Sequence, residues 1–124
     1  MNRHLSAALV VSALLVLGAG PAQAQLDQVT FIITSEHPNI IDVEFYSQDR
    51  NHAWPGGSKV YTISDYNTKH YTLNCVSGEK ICYGAGVRGR YSQYWGVGIG
   101  NRQSCIGCCF VCGGGATRPI VLNP

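Results

Sequence analysis

Val29-Thr30-Phe31-Ile32-Ile33-Thr34 and Ile41-Asp42-Val43-Glu44-Phe45-Tyr46 are the two stretches that decide the fold. In the first, Val29, Phe31 and Ile33 alternate with Thr30, Ile32 and Thr34. In the second, Ile41, Val43 and Phe45 alternate with Asp42, Glu44 and Tyr46. A period of two sends successive side chains to opposite faces, so each stretch reads as a strand with one face in a core. Between them lies Glu36-His37-Pro38-Asn39, where Pro38 lacks a ladder donor and marks a turn. A longer loop follows across Asp49-Arg50-Asn51-His52 and Pro55-Gly56-Gly57.

Working outward, β-branched and aromatic residues fill Lys59–Ile63 and His70–Cys75, as strands prefer. The turn Val76-Ser77-Gly78-Glu79-Lys80 then predicts a hairpin with Ile81–Val87. Its centre near Gly78-Glu79 sets Cys75 opposite Cys82, and opposed Cα atoms lie about 4.5–5.5 Å apart, near disulfide reach. A second hairpin is expected from Gly84–Arg88 through a turn around Gly89–Gln93 into Tyr94–Ile99. Gly84, Gly86, Gly96 and Gly98 leave one face of that ribbon as bare backbone, ready for close approach by the Cys-rich residues 105–112. Arg118–Leu122 offers a last strand, and Pro119 suits a sheet edge. Seven or so short strands with frequent turns predict a mainly β chain, a small antiparallel β-sandwich or barrel-like domain.

The C-terminal part is disulfide-rich. Cys105, Cys108, Cys109 and Cys112 fall at i, i+3, i+4 and i+7, which is one face of a helix, and Gly113-Gly114-Gly115 would end it. One or two helical turns across 105–112 are therefore expected, with an extended run as the alternative because Phe110 and Val111 suit a strand. Cys75 and Cys82 bring the count to six, an even number that fits full pairing in an oxidising compartment. Cys108 and Cys109 are neighbours, so they should take different partners. Zinc usually takes its thiolates from two separated C-x-x-C turns, whereas here they are fused. A reactive C-x-x-C usually opens a helix beside a strand, and no such pattern surrounds this one. Structural disulfides are the expectation; no metal or cofactor is called for.

Leu5–Leu17 is almost wholly apolar, follows Arg3 and His4, and precedes Gly18, Gly20, Pro21 and Ala22-Gln23-Ala24. That order is a secretory signal peptide over 1–24, with cleavage between Ala24 and Gln25. The apolar run falls short of the about 20 residues that span a bilayer. The expected product is a single disulfide-stabilised β domain over 25–124, secreted or periplasmic, with no membrane span.

Only 13% of residues are charged, against about 25% in ordinary domains, while glycine (15) and cysteine (6) take up much of the difference. The charges are also segregated. Residues 25–70 carry a net of −3, residues 71–124 a net of +4, and no acid follows Glu79. The plain consequence is attraction between two halves of one domain; the sharper one is an anion-binding face on the second half. The bases are too scattered for a nucleic-acid stripe.

Gly84-Ala85-Gly86-Val87-Arg88-Gly89 matches G-x-G-x-x-G, but strand-like sequence follows it and no acid lies about 20 residues on, so it is no dinucleotide site. His37, His52 and His70 are scattered; a triad of His52 with Asp49 and Ser47 has no support in spacing. The candidate binding residues are Arg50, His52 and Trp54 in the long loop, and Arg88, Tyr91 and Tyr94 around the second hairpin. Aromatic side chains with polar tips, beside Arg, are enriched at interfaces. Trp95 alternates with Val97 and Ile99 and reads as core; Trp54 reads equally as core or contact. Together these features predict an exported, non-enzymatic binding domain whose partner is a protein, peptide or glycan. The alternatives are a metal or thiol-redox protein built on Cys105–Cys112, or a small secreted inhibitor or toxin.

Overall fold

The structure, a computed structural model, describes residues 10–13 and 24–124. The expected leader lies almost entirely outside the described residues. Ten strands follow in order: β1 (Leu26–Ser35), β2 (Ile41–Ser47), β3 (Ala53–Trp54), β4 (Tyr61–Ile63), β5 (Lys69–Val76), β6 (Lys80–Val87), β7 (Arg90–Gly96), β8 (Cys109–Val111), β9 (Gly115–Ala116) and β10 (Ile120–Leu122). No helix occurs among the described residues, and none is long and apolar enough to cross a membrane.

The strands form two sheets. In the first, β1 is central: β5 pairs antiparallel along one edge, and β9 and β10 pair parallel along the other. In the second, β2 and β6 pair antiparallel over Ile41–Ser47 and Ile81–Val87. β3 and β4 flank β2, while β7 and β8 lie end to end along β6. The alternation read from the sequence selects the faces. Val29, Phe31 and Ile33 of β1 and Leu73 of β5 are buried against Ile41, Val43 and Phe45 of β2 and Ile81, Ala85 and Val87 of β6. Phe31 sits at the centre, 4.5 Å from the Phe45 ring and edge-on to Phe110 at 5.4 Å. Each such side chain contributes about 1.5–3 kcal/mol by leaving water. The result is a small β-sandwich, and Pro119 precedes the edge strand β10 as its missing donor requires.

The disulfides correct one expectation. Cys75 pairs with Cys112, Cys82 with Cys109, and Cys105 with Cys108, leaving no free cysteine. Cys75 and Cys82 do not pair, because the turn over residues 77–79 closes no hairpin: it carries the chain from β5 in one sheet to β6 in the other. Cys75 therefore faces the core from the first sheet and reaches Cys112, tying the sheets together. Cys82 points out of the second sheet and meets Cys109 directly across the β6–β8 ladder.

The expected helical turns across 105–112 are also absent. The segment ends in β8, with Phe110 turned into the core and Cys109 turned outward. Tertiary pairing with β6 imposes a period of two where the cysteine spacing suggested 3.6. As expected, Cys108 and Cys109 take different partners.

Candidate functional site

With Ile41, Val43 and Phe45 committed to the core, β2 turns Asp42, Glu44 and Tyr46 onto the outer face of its sheet. Beside them β6 turns out Cys82, Gly84 and Gly86. Gly84 and Gly86 leave a trough in that face, and two groups occupy it. One is the backbone of residues 97–103, which folds back as a strap. A Cβ on Gly84 would stand 2.0 Å from Gly98 O, so only glycine fits beneath the strap. The sequence placed residues 105–112 over these glycines; the structure places the nearer segment there instead. The other group is the Tyr91 ring, which lies over Gly86.

The Tyr91 position comes from a bulge. The hairpin turns tightly at Arg88-Gly89 rather than over Gly89–Gln93. Val87 then pairs with Arg90 but Gly86 pairs with Tyr94, so Tyr91, Ser92 and Gln93 are extra residues in β7. Bulges of this kind re-aim side chains near functional surfaces. Here the bulge swings Tyr91 over the outer face, where its Oη donates to Asp42 Oδ2 at 2.7 Å. That hydrogen bond, with burial second, pushes the Tyr91 pKa up to about 12.

Asp42 is 2% exposed and fully engaged. Arg88 donates to Oδ1 from Nε at 2.9 Å and from Nη2 at 2.7 Å, and Nη2 also reaches Thr62 Oγ1 at 2.8 Å. A carboxylate so buried is stable only when its lone pairs are met. The strap is fastened nearby: Tyr46 donates to Glu44 Oε2 and accepts from the Gly100 amide at 2.6 Å. Burial first, and the bond to Glu44 second, raise the Tyr46 pKa far above its usual range.

Two clefts flank the strap. One, of about 330 Å³, is lined by Tyr91, Gly98, Ile99, Gly100, Arg102 and Gln103. Tyr94 packs beside Gly98 at its rim. The other, of about 410 Å³, is polar and includes Gln48, Lys80, Asn101, Arg102, Gln103 and Cys105. Tyr91 and Tyr94 remain 45% and 41% exposed, although Tyr91 is held by its bond to Asp42.

Of the six candidate residues, the structure brings Arg88, Tyr91 and Tyr94 together on this face. Arg50, His52 and Trp54 form a separate group. Trp54 is only 8% exposed, donates Nε1 to Asn74 O at 3.0 Å, and belongs to the core. His52 packs edge-on against it at 4.5 Å, and the Arg50 guanidinium lies 5.7 Å from its ring. Arg50 also donates through Nε and Nη2 to Glu79. Ser47 gives its hydroxyl to Glu79 rather than to His52, so the Ser47–Asp49–His52 triad is not assembled. Burial alone would raise the Glu79 carboxyl, but Arg50, Ser47 and the Val76 amide outweigh it and hold the pKa at about 2. Both buried carboxylates thus pair with bases from the opposite end of the charge divide.

No protein-family model, no curated protein and no solved structure matches this chain. What the face can do follows from its own side chains. Asp42, Arg102 and Gln103 were not singled out in the sequence. The alternation of β2 sends Asp42 to the outer face, and only the β7 bulge shows what covers it there.

Proposed function

We propose that this chain is an exported, non-enzymatic binding domain that holds a sugar chain on the outer face of the second sheet. The observation that carries the proposal is the pair of exposed tyrosines on this face, one of them anchored to a buried carboxylate. Tyr91 is fixed by Asp42 and by its seat over Gly86, so it loses little rotamer freedom when a ligand arrives, and Tyr94 stands beside Gly98 on the same face. A tyrosine presents a flat apolar face with a polar tip, which suits the mixed surface of a pyranose ring. Arg102 and Gln103 supply donors and an acceptor beside that ring in the same cleft.

A binding role without catalysis fits the engagement of the ionisable groups. Asp42 and Glu79 are tied to arginines, Ser47 is tied to Glu79, and among the described residues no histidine lines either cleft. Export is supported by the leader sequence over 1–24 and by the suitability of three disulfides for an oxidising compartment. The test is a glycan array probed with the wild-type protein and with Tyr94→Ala. Retention of one class of sugar by the wild type, with loss of about tenfold in affinity in the variant, supports the proposal; about 1.4 kcal/mol of lost stacking corresponds to that factor. Binding of no sugar, or equal binding by both proteins, overturns it.

A further inference from the structure

The three disulfides are placed very differently. Cys75 and Cys112 lie in the core at 1% and 2% exposure. Cys82 is 1% exposed, and its partner Cys109 is part-exposed and lines the polar cleft, but that bridge is built into the β6–β8 ladder. Cys105–Cys108 lies outside both sheets and closes a loop of four residues. Of the two residues between them, Ile106 projects fully into solvent and Gly107 is also exposed. So small a loop removes the least entropy from the unfolded chain, and opening it breaks no strand pairing.

The pair is also asymmetric. Cys108 is buried, whereas Cys105 is part-exposed and lines the polar cleft of about 410 Å³. An approaching thiolate therefore reaches the Cys105 sulfur, and the Cys108 sulfur is the leaving group. Lys80 and Arg102 line the same cleft, and neither has an ion-pair partner among the described residues. Arg118 donates to Gly107 O at 2.9 Å and adds a third positive charge to the loop, in a part of the chain with no acid. Cations near a disulfide favour the thiolate forms on which exchange depends.

We propose that Cys105–Cys108 is a thiol-exchange site for carboxylate-bearing thiols, which enter through this cleft. The external thiolate attacks Cys105 Sγ. A new sulfur–sulfur bond forms there, the Cys105–Cys108 bond breaks, and the electron pair leaves on Cys108 Sγ, which takes a proton from water. One disulfide replaces another, so no separate oxidant is needed. Return attack by Cys108 expels the thiol and restores the starting state. The proposal does not rest on sugar binding, although Arg102 lines both clefts.

The oxidised full protein is to be treated with reduced glutathione, or with cysteamine as a cationic thiol. Free thiols are then alkylated and the adducts mapped by mass. Rates are expressed relative to each thiol's rate on a small unstructured disulfide. The expected result is one adduct on Cys105, with the other two disulfides intact and the β-sheet circular dichroism unchanged. Glutathione should be favoured over cysteamine by about threefold or more, and a Lys80→Gln, Arg102→Gln double variant should lose that preference. Adducts on Cys75, Cys82, Cys109 or Cys112, joint opening of all three disulfides, or equal relative rates for the two thiols would overturn the proposal.

Discussion

Tyr91 Oη and Asp42 Oδ2 are joined by a 2.7 Å hydrogen bond that links the β7 bulge to the outer face of β2. Through it a residue buried in the sheet sets the position of one exposed to solvent. Tyr91→Phe should keep the ring over Gly86 but remove one of the bonds to a buried carboxylate. The expected loss is about 1.5 kcal/mol, the low end for hydrogen bonds to charged groups. Asp42→Ala should cost roughly 3 kcal/mol, because it leaves the Arg88 guanidinium without its carboxylate, with part of that loss moderated by solvent around Arg88. Urea titration of the two variants checks the order.

Glu79 sets an acid limit. Its folded pKa of about 2 lies below the ordinary carboxylate value of 4.5. The unfolded chain therefore binds the proton first as pH falls, and the stabilisation is full above pH 4.5 and lost between pH 4.5 and 2. The size is on the order of 2–3 kcal/mol at neutral pH. Denaturation midpoints should fall for the wild type as pH is lowered from about 6 to about 2 and be much flatter for Glu79→Gln, which starts from a lower stability at about pH 6.

Glycine substitutions separate two kinds of constraint. Gly84→Ala would drive a Cβ into Gly98 O, which is backbone and cannot rotate away. It should cost about 3 kcal/mol or displace the strap. Gly89→Ala meets nothing within 4 Å and carries only the strain of a φ near +80°, so about 1 kcal/mol is expected. Thermal melts of both variants distinguish the two costs.

The disulfides should rank by loop length and burial. Replacing Cys75 and Cys112 by alanine opens a long loop and a core contact, at a cost of about 4 kcal/mol, whereas replacing Cys105 and Cys108 by serine should cost about 2 kcal/mol or less. Guanidinium unfolding of the two double variants tests the order, and the Cys105, Cys108 variant should retain its tertiary structure.

Much of this fold was legible from period-two alternation. Val29–Thr34 and Ile41–Tyr46 lie in the two facing sheets with their expected sides inward, and Trp95 packs toward the core with Nε1 donating to Asn123 O. The errors arose where local pattern and tertiary pairing disagree. The Cys75 to Cys82 segment has the composition of a hairpin, yet the chain changes sheets there, so Cys75 and Cys82 are not partners. At 105–112 the helical spacing of four cysteines is real, but pairing of Cys109–Val111 with β6 decides the conformation. The candidate site was half legible: Tyr91 and Tyr94 stood out by type, while Asp42 and the strap glycines acquire their roles only through the β7 bulge and the return of residues 97–103.

The most direct measurement of the central claim is the chemical-shift response of the folded protein to the best sugar found on the array. The account predicts shifts concentrated at Tyr91, Tyr94 and Gly98–Gln103, with Trp54 and His52 unmoved, and their loss in Tyr94→Ala at unchanged stability. Shifts centred on Arg50, His52 and Trp54, or an unchanged response in Tyr94→Ala, would contradict it.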